Sequence, residues 1–188
     1  MFRLKFLLLF LVSLAYADFG EVWIKKYAFA AGLDFAVSKG DLDGGANFLV
    51  YAFDARALAN AHSVSLNLGL GFPDYKYMEH SGDAKYFRYG IEYQYHFFWP
   101  EPFRIGAGLG FAFSSLMFPT ASLTGNGGHA VLSAQYYFTK NFAMESAIRP
   151  RFLRLNRIAT EEKNNVSRLS EAVLQGVGEL GLRGMFVF

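Results

Sequence analysis

The feature that most constrains this chain is an alternation of apolar and polar residues that repeats along most of its length. The segment Lys85–Trp99 shows the alternation most clearly. Successive side chains of a β-strand point to opposite faces, so a period of two predicts a strand with one apolar and one polar face. In this segment the apolar face carries Phe87, Tyr89, Ile91, Tyr93, Tyr95, Phe97 and Trp99, and the polar face carries Arg88, Gly90, Glu92, Gln94 and His96.

Eight segments share this pattern, and no stretch beyond residue 17 reads as a clean transmembrane helix. The nearest rival is Ile105–Thr139, which lacks charges but is interrupted by several glycines and by Pro119. Its apolar residues alternate as well, which favours strands. The sequence therefore predicts an all-β protein, with strands near Lys25–Ser38, Ala46–Arg56, His62–Phe72, Lys85–Trp99, Phe103–Ser115, His129–Thr139, Phe142–Leu155 and Arg168–Phe188.

Charged and aromatic residues separate onto opposite faces of these segments. Within each segment the central charges share one parity, as a single polar face requires. Most aromatic residues take the other parity, and the exceptions are Phe48, Phe98 and Tyr137. The charges concerned are Asp34, Asp54, Arg88, Glu92, Arg104, Glu145, Arg149, Arg151, Glu179 and Arg183.

A soluble β-sandwich also alternates, and the choice between it and a membrane barrel depends on length and composition. The chain is 18% aromatic and only 18% charged, whereas soluble domains carry about 25% charged residues. The segments run about ten residues or longer, which is the span that a tilted transmembrane strand needs. The polar face is rich in small residues, and aromatics recur at segment ends. These features predict an eight-stranded antiparallel up-and-down transmembrane β-barrel.

The connections between the segments alternate in length, as they do in such barrels. Short links are expected at Ala57–Ala61, at Pro100–Pro102 and around Asn141. Phe118 is expected at an exposed position in one of the longer, more polar links. Those longer links are predicted at Lys39–Gly45, Pro73–Ala84, Leu116–Gly128 and Asn156–Ser167.

The first seventeen residues have the order of a secretory signal peptide. Arg3 and Lys5 precede the apolar run Phe6–Leu14, and Ala15-Tyr16-Ala17 offers small residues at the two positions that a signal peptidase reads. The apolar run is too short to span a membrane core of about 30 Å as a helix. We therefore expect residues 1–17 to be a cleaved signal peptide and residues 18–188 to form the barrel.

On these residues the chain resembles the small eight-stranded bacterial outer-membrane barrels, such as the transmembrane domain of outer membrane protein A and its shorter relatives. The motif that carries the resemblance is the end of the chain, Gly184-Met185-Phe186-Val187-Phe188. The resemblance implies that Leu182, Phe186 and Phe188 form the signal read by the barrel-assembly machinery. It also implies residence in the outer membrane, as a monomer among lipid and lipopolysaccharide.

The polar face of an eight-stranded barrel points into an interior just wide enough for side chains to fill. The main hypothesis is therefore a lumen plugged by ion pairs and hydrogen bonds, and the alternative is a narrow pore that prefers anions. Lys26 adds to the positive charge of this face. The predicted lumen residues are Asp34, Asp54, Arg56, Arg88, Glu92, His96, Arg104, Glu145, Arg149, Arg151, Glu179 and Arg183.

A lipid-directed enzyme is a further alternative, because the related lipid A deacylases use a His and a Ser two residues apart with an acidic partner. None of the four histidines of this chain has Ser two residues later. His80 and Ser81 have Asp83 nearby, but working triads are normally assembled from distant segments, so we interpret them as a solvated turn. His129 is interpreted as a polar cap where a strand begins. We therefore predict a non-enzymatic protein with a structural or surface-binding role.

The remaining classes of function have little support in the sequence. The formal net charge is +2 and there is no basic run, which argues against binding to nucleic acid. The chain has no cysteine, which excludes disulfides, thiolate metal sites and cysteine catalysis. No pair of histidines or carboxylates has convincing metal spacing. We therefore expect neither a metal nor a cofactor.

Overall fold

A computed structural model describes residues 26–44, 47–77, 80–98, 102–160 and 165–188, and these residues form strands and turns. Residues 1–17, the expected signal peptide, lie outside the described residues, as do Lys25, Ala46 and Trp99. None of the described residues belongs to a helix long and apolar enough to cross a membrane. The strands are β1 Lys26–Gly40, β2 Asp43–Gly44, β3 Asn47–Ala59, β4 His62–Gly71, β5 Asp74–Tyr77, β6 His80–Asp83, β7 Lys85–Phe98, β8 Phe103–Met117, β9 Ala121–Tyr137, β10 Phe142–Thr160 and β11 Asn165–Val187.

Eight of these strands close into an antiparallel barrel in which each strand pairs with its neighbours along the chain. Its order is β1-β11-β10-β9-β8-β7-β4-β3, and β3 returns to β1. Closure joins the first and the last barrel strands, because β1 pairs with both β3 and β11. The predicted fold class is therefore confirmed. The three short strands β2, β5 and β6 form a separate sheet in the connections at one end of the barrel.

The period of two in the sequence corresponds to an inward and an outward face on every barrel strand. On β7, Arg88 and Glu92 are buried, whereas Tyr89 and Ile91 on the other face are each 49% exposed. The exposed side chains are thus large apolar ones and the buried ones include many charges. This arrangement is the reverse of that in a soluble protein, and it is the arrangement that a lipid-facing exterior requires.

The two ends of the barrel differ in their connections. The end that holds Phe188, here called the lower end, has tight turns such as the one at Asn60-Ala61, where Asn60 adopts a positive φ of 52°. Asparagine tolerates this left-handed conformation better than most residues do. The upper end carries the sheet of β2, β5 and β6, whose strands lie in the long connections predicted at Lys39–Gly45 and Pro73–Ala84.

Two of the predicted connections are largely strand. Strand β9 begins at Ala121 rather than at His129, and β10 and β11 extend to Thr160 and from Asn165. The glycines that suggested a loop are places where strands come very close: a Cβ on Gly125 or Gly127 would lie about 2 Å from a carbonyl oxygen of β10. Only a glycine fits such an approach, so these residues mark close pairing rather than a turn.

Candidate functional site

The interior of the barrel is filled by three layers of side chains. Small and medium apolar residues close the lower end, charged and polar residues fill the middle, and large apolar residues close the upper end. The middle layer contains most of the residues predicted to face the lumen. It is the strongest candidate for a functional site because buried charges are rare unless they are paired or do chemistry.

Five carboxylates and five guanidinium groups are buried in the middle layer, so its formal charges balance. We call these ten residues, together with His129, the buried charge network. Each of the eleven residues is at most 5% exposed. The network consists of Asp34, Asp54, Glu92, Glu145, Glu179, Arg56, Arg88, Arg149, Arg151, Arg183 and His129.

Glu145 on β10 accepts four hydrogen bonds, as many as Glu92 does. Arg56 donates to both of its oxygens, with Nη2 at 2.8 Å from Oε1. Arg149 donates to Oε1 at 3.1 Å, and Gln135 donates to Oε2 at 2.9 Å. A carboxylate oxygen accepts more than one hydrogen bond, so these contacts fill most of the capacity of Glu145 and tie β3 and β9 to β10.

Asp34 on β1 has a similar position on the other side of the lumen. Arg183 donates to both of its oxygens, through Nε at 3.1 Å and Nη2 at 2.5 Å, which is the bidentate geometry of strong Arg–carboxylate pairs. Arg88 donates to Oδ2 of Asp34 at 2.8 Å. Arg183 also pairs with Asp54, which accepts a bond from Arg56 at 2.6 Å. Strands β1, β3, β7 and β11 are thereby linked through side chains.

His129 completes the network in the middle of β9. It lies 2.8 Å from Oε2 of Glu92 through Nε2 and 2.9 Å from Nη1 of Arg151 through Nδ1. Arginine has no acceptor, so Nδ1 must accept and Nε2–H must donate to the carboxylate. The interpretation of His129 as a cap at a strand start was wrong, because β9 begins eight residues earlier. A Cβ at Gly110 would lie 2.2 Å from the imidazole, so the ring occupies the space that this glycine leaves.

The ion pairs, together with the two hydrogen bonds of His129, form a closed circuit around the lumen. Besides the contacts above, Arg149 donates to Glu92 at 2.9 Å, Arg151 donates to Glu179 at 2.7 Å, and Arg88 lies 3.3 Å from Glu179. No charge in the circuit depends on a single partner for its position. The path runs Arg88, Asp34, Arg183, Asp54, Arg56, Glu145, Arg149, Glu92, His129, Arg151, Glu179 and back to Arg88.

The other residues predicted for the lumen lie outside this circuit. His96 is buried, with Nε2 at 3.3 Å from the Ser63 hydroxyl. Arg104 is half-buried near the lower end, with its guanidinium 4.7 Å from the centre of the Tyr137 ring. Lys26 is exposed at the start of β1. The positive excess expected for the lumen face therefore lies at its lower rim, whereas the buried middle is balanced.

The upper apolar layer was not predicted. Its members surround Tyr75 of β5, whose hydroxyl donates a hydrogen bond to Oγ of Ser38 at 2.6 Å. Burial raises the pKa of Tyr75 to about 12. Phe118 was expected at an exposed position, but it is only 7% exposed, because its side chain packs in this layer from the short connection between β8 and β9. The layer comprises Ala36, Leu42, Phe48, Val50, Tyr75, Ala84, Tyr86, Leu116, Phe118, Leu123, Leu153, Leu155, Val173 and Val177.

The lower apolar layer is smaller and lies beside the last strand. Met185 and Val187 on β11 pack there with Ala28, Ala30, Leu58 and Ala143, and Tyr137 packs against them. Phe48 and Tyr137, two of the aromatic exceptions in the sequence pattern, thus belong to the layers that close the lumen at its two ends. The side chain of the third, Phe98, is not among those described.

The residues of the expected assembly signal lie on the outside of β11. Leu182, Phe186 and Phe188 are 54–56% exposed. Phe188 exchanges backbone hydrogen bonds of 3.0 Å with Tyr27, and the two rings stack with centroids 6.5 Å apart. The last residue is therefore part of the seam that closes the barrel. Whether assembly machinery reads these residues stays a prediction.

No catalytic arrangement is evident among the described side chains. His80, Ser81 and Asp83 lie on β6, a strand rather than a turn, and only their backbone is described. The Ser63–His96 pair is buried inside the barrel, where a lipid cannot reach it. His62 contacts the Tyr93 hydroxyl at 2.7 Å. No group of three or more His, Asp or Glu residues in the described ranges is arranged to hold a metal ion.

Comparisons with known proteins give the fold a context. The sequence matches no protein-family model, and no curated protein shows significant similarity to it. Solved structures do match. The chain is similar to Neisserial surface protein A, with a TM-score of 0.56 and 18% identity over 84% of this chain and 95% of that one. It is also similar to the outer membrane protein OprG from Pseudomonas aeruginosa, with a TM-score of 0.58 and 12% identity over 87% and 95%.

A third similar structure is Ail, the attachment invasion locus protein of Yersinia pestis, solved in complex with the heparin analogue sucrose octasulfate. The TM-score is 0.57, with 15% identity over 87% of this chain and 98% of that one. At these identities the likeness concerns the fold, and it extends over nearly the whole length of each neighbour. The chain therefore has the closed eight-stranded architecture of the small outer-membrane β-barrels.

Proposed function

We propose that this protein is a bacterial outer-membrane barrel with a plugged lumen and a structural or surface-binding role. The observation that carries the proposal is the closed circuit of balanced, buried ion pairs, linked through His129, that lies between two apolar layers. Ten charges inside a barrel whose exterior is apolar suit a protein that is surrounded by lipid. We propose lipid and lipopolysaccharide as its surroundings, a monomeric state, and the barrel-assembly machinery as its partner during insertion.

Residence in a membrane is supported by the outward face of the barrel. Large apolar side chains such as Phe53, Leu66, Leu109 and Phe152 are 54–75% exposed there. Monomeric soluble proteins rarely expose contiguous apolar patches above a few hundred Å², so this surface needs lipid. In cells, the protein is expected in the outer-membrane fraction, with gel mobility that changes on boiling. Recovery from the soluble periplasm with unchanged mobility would refute the proposal.

The closed lumen favours a structural or surface-binding role over transport. Bulky side chains such as Arg88, Arg149 and Tyr86 are fully buried across the interior, and each is at most 1% exposed. Planar bilayer recordings test this directly: the purified protein should give no discrete conductance steps at moderate voltage. Regular steps with a preference for anions would instead support the small pore.

The lipid-directed enzyme receives no support from the described side chains. An enzyme of this kind needs a nucleophile, a base and an orienting group that meet at an accessible rim. The buried Ser63–His96 pair has no such access. The most exposed histidine with a described side chain, His62, contacts the rings of Tyr93 and Tyr95 and the Tyr93 hydroxyl. Unchanged lipid A in cells that overproduce the protein is the expected result.

A further inference from the structure

A groove of about 350 Å³ lies on the outside of the barrel, toward its upper end. Its wall is built from two neighbouring rows of paired residues. In one row Tyr89, Phe113 and Asn126 are consecutive partners across β7, β8 and β9. In the next row Ser115 pairs with Thr124, which pairs with Arg157 of β10. The groove therefore runs across four strands on their outward face.

Directly below the groove, β9 presents small residues between two bulky neighbours. Its outward face carries Ala130, Gly128 and Asn126, whereas β8 presents Phe111 and β10 presents Phe152, which is 75% exposed. Gly128 pairs with Phe111 on one side and with Phe152 on the other, so its missing side chain leaves a gap between the two rings, here called the trough. Apolar walls on the lipid side of a barrel have the chemistry to receive an acyl chain.

The upper part of the same groove is polar and positively charged. Arg157, Asn156 and Asn126 line it, and none of the lining residues is a carboxylate. The irregularity in β10 between Leu155 and Arg157 places Asn156 beside the groove. Arg154, the partner of Asn126 in the ladder, is exposed on the outward face next to it. Arginine and asparagine are suited to phosphate and to sugar hydroxyls, respectively.

Aromatic rings complete the polar part. Tyr89 and Phe113 stack with centroids 5.3 Å apart and an interplanar angle of 23°, and both rings are exposed to the groove. Ring faces of this kind pack against the apolar faces of sugars. From top to bottom, the groove thus offers a guanidinium and amides, then aromatic faces, and below them the apolar trough. A glycolipid presents its phosphate, its sugar and its acyl chain in the same order.

The position of the groove along the barrel axis matches the level at which a lipid headgroup would lie. Phe142 near the lower end and Phe152 are ten residues apart on β10. At about 3.3 Å per residue and a tilt of about 40°, they are separated by about 25 Å along the barrel axis, which is the height of the apolar band of such barrels. Arg154 and Arg157 follow directly above Phe152, at the level where lipid headgroups begin.

We propose that this groove is a binding site for a phosphorylated glycolipid of the surrounding leaflet, with Arg157 on the phosphate and the trough over Gly128 under an acyl chain. The inference rests on the proposed residence in the outer membrane. It adds a specific lateral site that is separate from the lumen and from the upper loops.

The test is native mass spectrometry of the refolded protein in detergent micelles, with bisphosphorylated lipid A as the probe. Arg157→Ala should weaken binding about tenfold, as expected for the loss of one charge-assisted hydrogen bond. Lys39→Ala is the matched control, because it removes an exposed cation from β1, two strands away. Lipid A from which the phosphates have been removed should bind the wild type about as weakly as bisphosphorylated lipid A binds Arg157→Ala.

A second pair of variants tests the trough without changing charge. A side chain at Gly128 has room for its Cβ, whose nearest neighbour would be 3.8 Å away, so Gly128→Leu should fold and block the trough. Gly178→Leu is the control, since its Cβ would also have room, at 3.9 Å from the nearest atom, on another part of the outer surface. Binding should fall at least fivefold in the first variant and stay unchanged in the second.

Three outcomes would overturn the site. They are equal binding by Arg157→Ala and Lys39→Ala, equal binding by the two leucine variants, and binding of phosphatidylglycerol as tight as that of lipid A. The gel shift on boiling is measured for every variant. A wild type that shows the gel shift but does not bind lipid A refutes only the proposed binding site. A wild type without the gel shift refutes the proposed membrane barrel itself.

Discussion

Replacing Glu145 with glutamine is the sharpest test of the buried charge network. Glutamine keeps the size of the side chain and one carbonyl acceptor, but it removes a buried negative charge. Arg56 and Arg149 both donate to this carboxylate, which is fully buried on β10. After the substitution, five buried guanidinium groups would face four carboxylates.

The expected loss of stability in Glu145→Gln follows from the free-energy cost of a buried charge without a partner. Breaking a buried ion pair by removing one partner typically costs about 3–5 kcal/mol, since the remaining charge stays buried without its partner. Arg56 retains Asp54, and Arg149 retains Glu92, so the lower part of this range applies. We expect the free energy of unfolding of Glu145→Gln to fall by about 3 kcal/mol.

The assay is reversible urea unfolding of the protein in lipid vesicles, followed by circular dichroism and by the gel shift on boiling. Glu171→Gln is the matched control, because Glu171 is an exposed carboxylate on β11. Its unfolding free energy should change by no more than about 0.5 kcal/mol. A loss below about 1 kcal/mol in Glu145→Gln, or equal losses in the two variants, would refute the reasoning.

The double variant Arg56→Gln/Glu145→Gln separates charge imbalance from lost packing. It restores an equal number of buried charges, and Asp54 and Arg149 still have partners in Arg183 and Glu92. The double variant should therefore be more stable than the sum of the single losses predicts, by at least about 1 kcal/mol. Strict additivity would mean that the contacts act independently and that the circuit has no collective role.

Three further predictions concern the packing, the upper cap and the seam. Gly110→Ala should lower the free energy of unfolding by about 1–3 kcal/mol, because its Cβ would displace the imidazole of His129. Gly128→Ala, whose Cβ has room, should leave this free energy unchanged, and urea titrations of the two variants measure the difference. Because the pKa of Tyr75 is about 12 in the folded protein, Tyr75 ionises more readily in the unfolded chain as the pH rises from about 10 to about 12. The free energy of unfolding of the wild type should therefore fall by about 2–3 kcal/mol over this range, and that of Tyr75→Phe should not show this fall. Deleting Phe188 should reduce membrane insertion far more than Phe152→Ala does; equal insertion levels would contradict a role for the terminal seam.

Much of the fold could be predicted from the sequence because a period of two is a local property. Each strand must present alternate residues to opposite faces whatever its partners are. The parity of Glu92 and Arg88 against Tyr89 was therefore enough to identify the inward face of β7, which the structure confirms. The strand count followed from the same pattern, and closure followed from the need of lipid-exposed strands to have no free edge.

The pairing partners inside the lumen could not be predicted, because they depend on the register between strands. Arg56 and Glu145 are 89 residues apart in the chain, and their contact crosses the interior from β3 to β10. The period of two predicts that both side chains point inward, but it does not give the position of either side chain along the barrel axis. The start of β9 was missed for a related reason: Gly125 and Gly127 resemble turn residues until the close approach of β10 is known.

The upper apolar layer could have been anticipated from an inversion of polarity within single strands. On β10, Arg149 and Arg151 are buried while Phe152 is exposed, but one residue later Leu153 is buried and Arg154 is exposed. A strand in lipid must turn apolar residues outward, and the same strand in water must turn them inward. The change at Phe152 therefore indicates where the strand leaves the lipid. Above that point the barrel is built like a soluble one, with Leu153 in its core and arginines on its surface. The charges inside the lipid-facing section are thus balanced within the lumen, whereas the arginines just above the boundary, Arg154 and Arg157, are exposed on the outer surface.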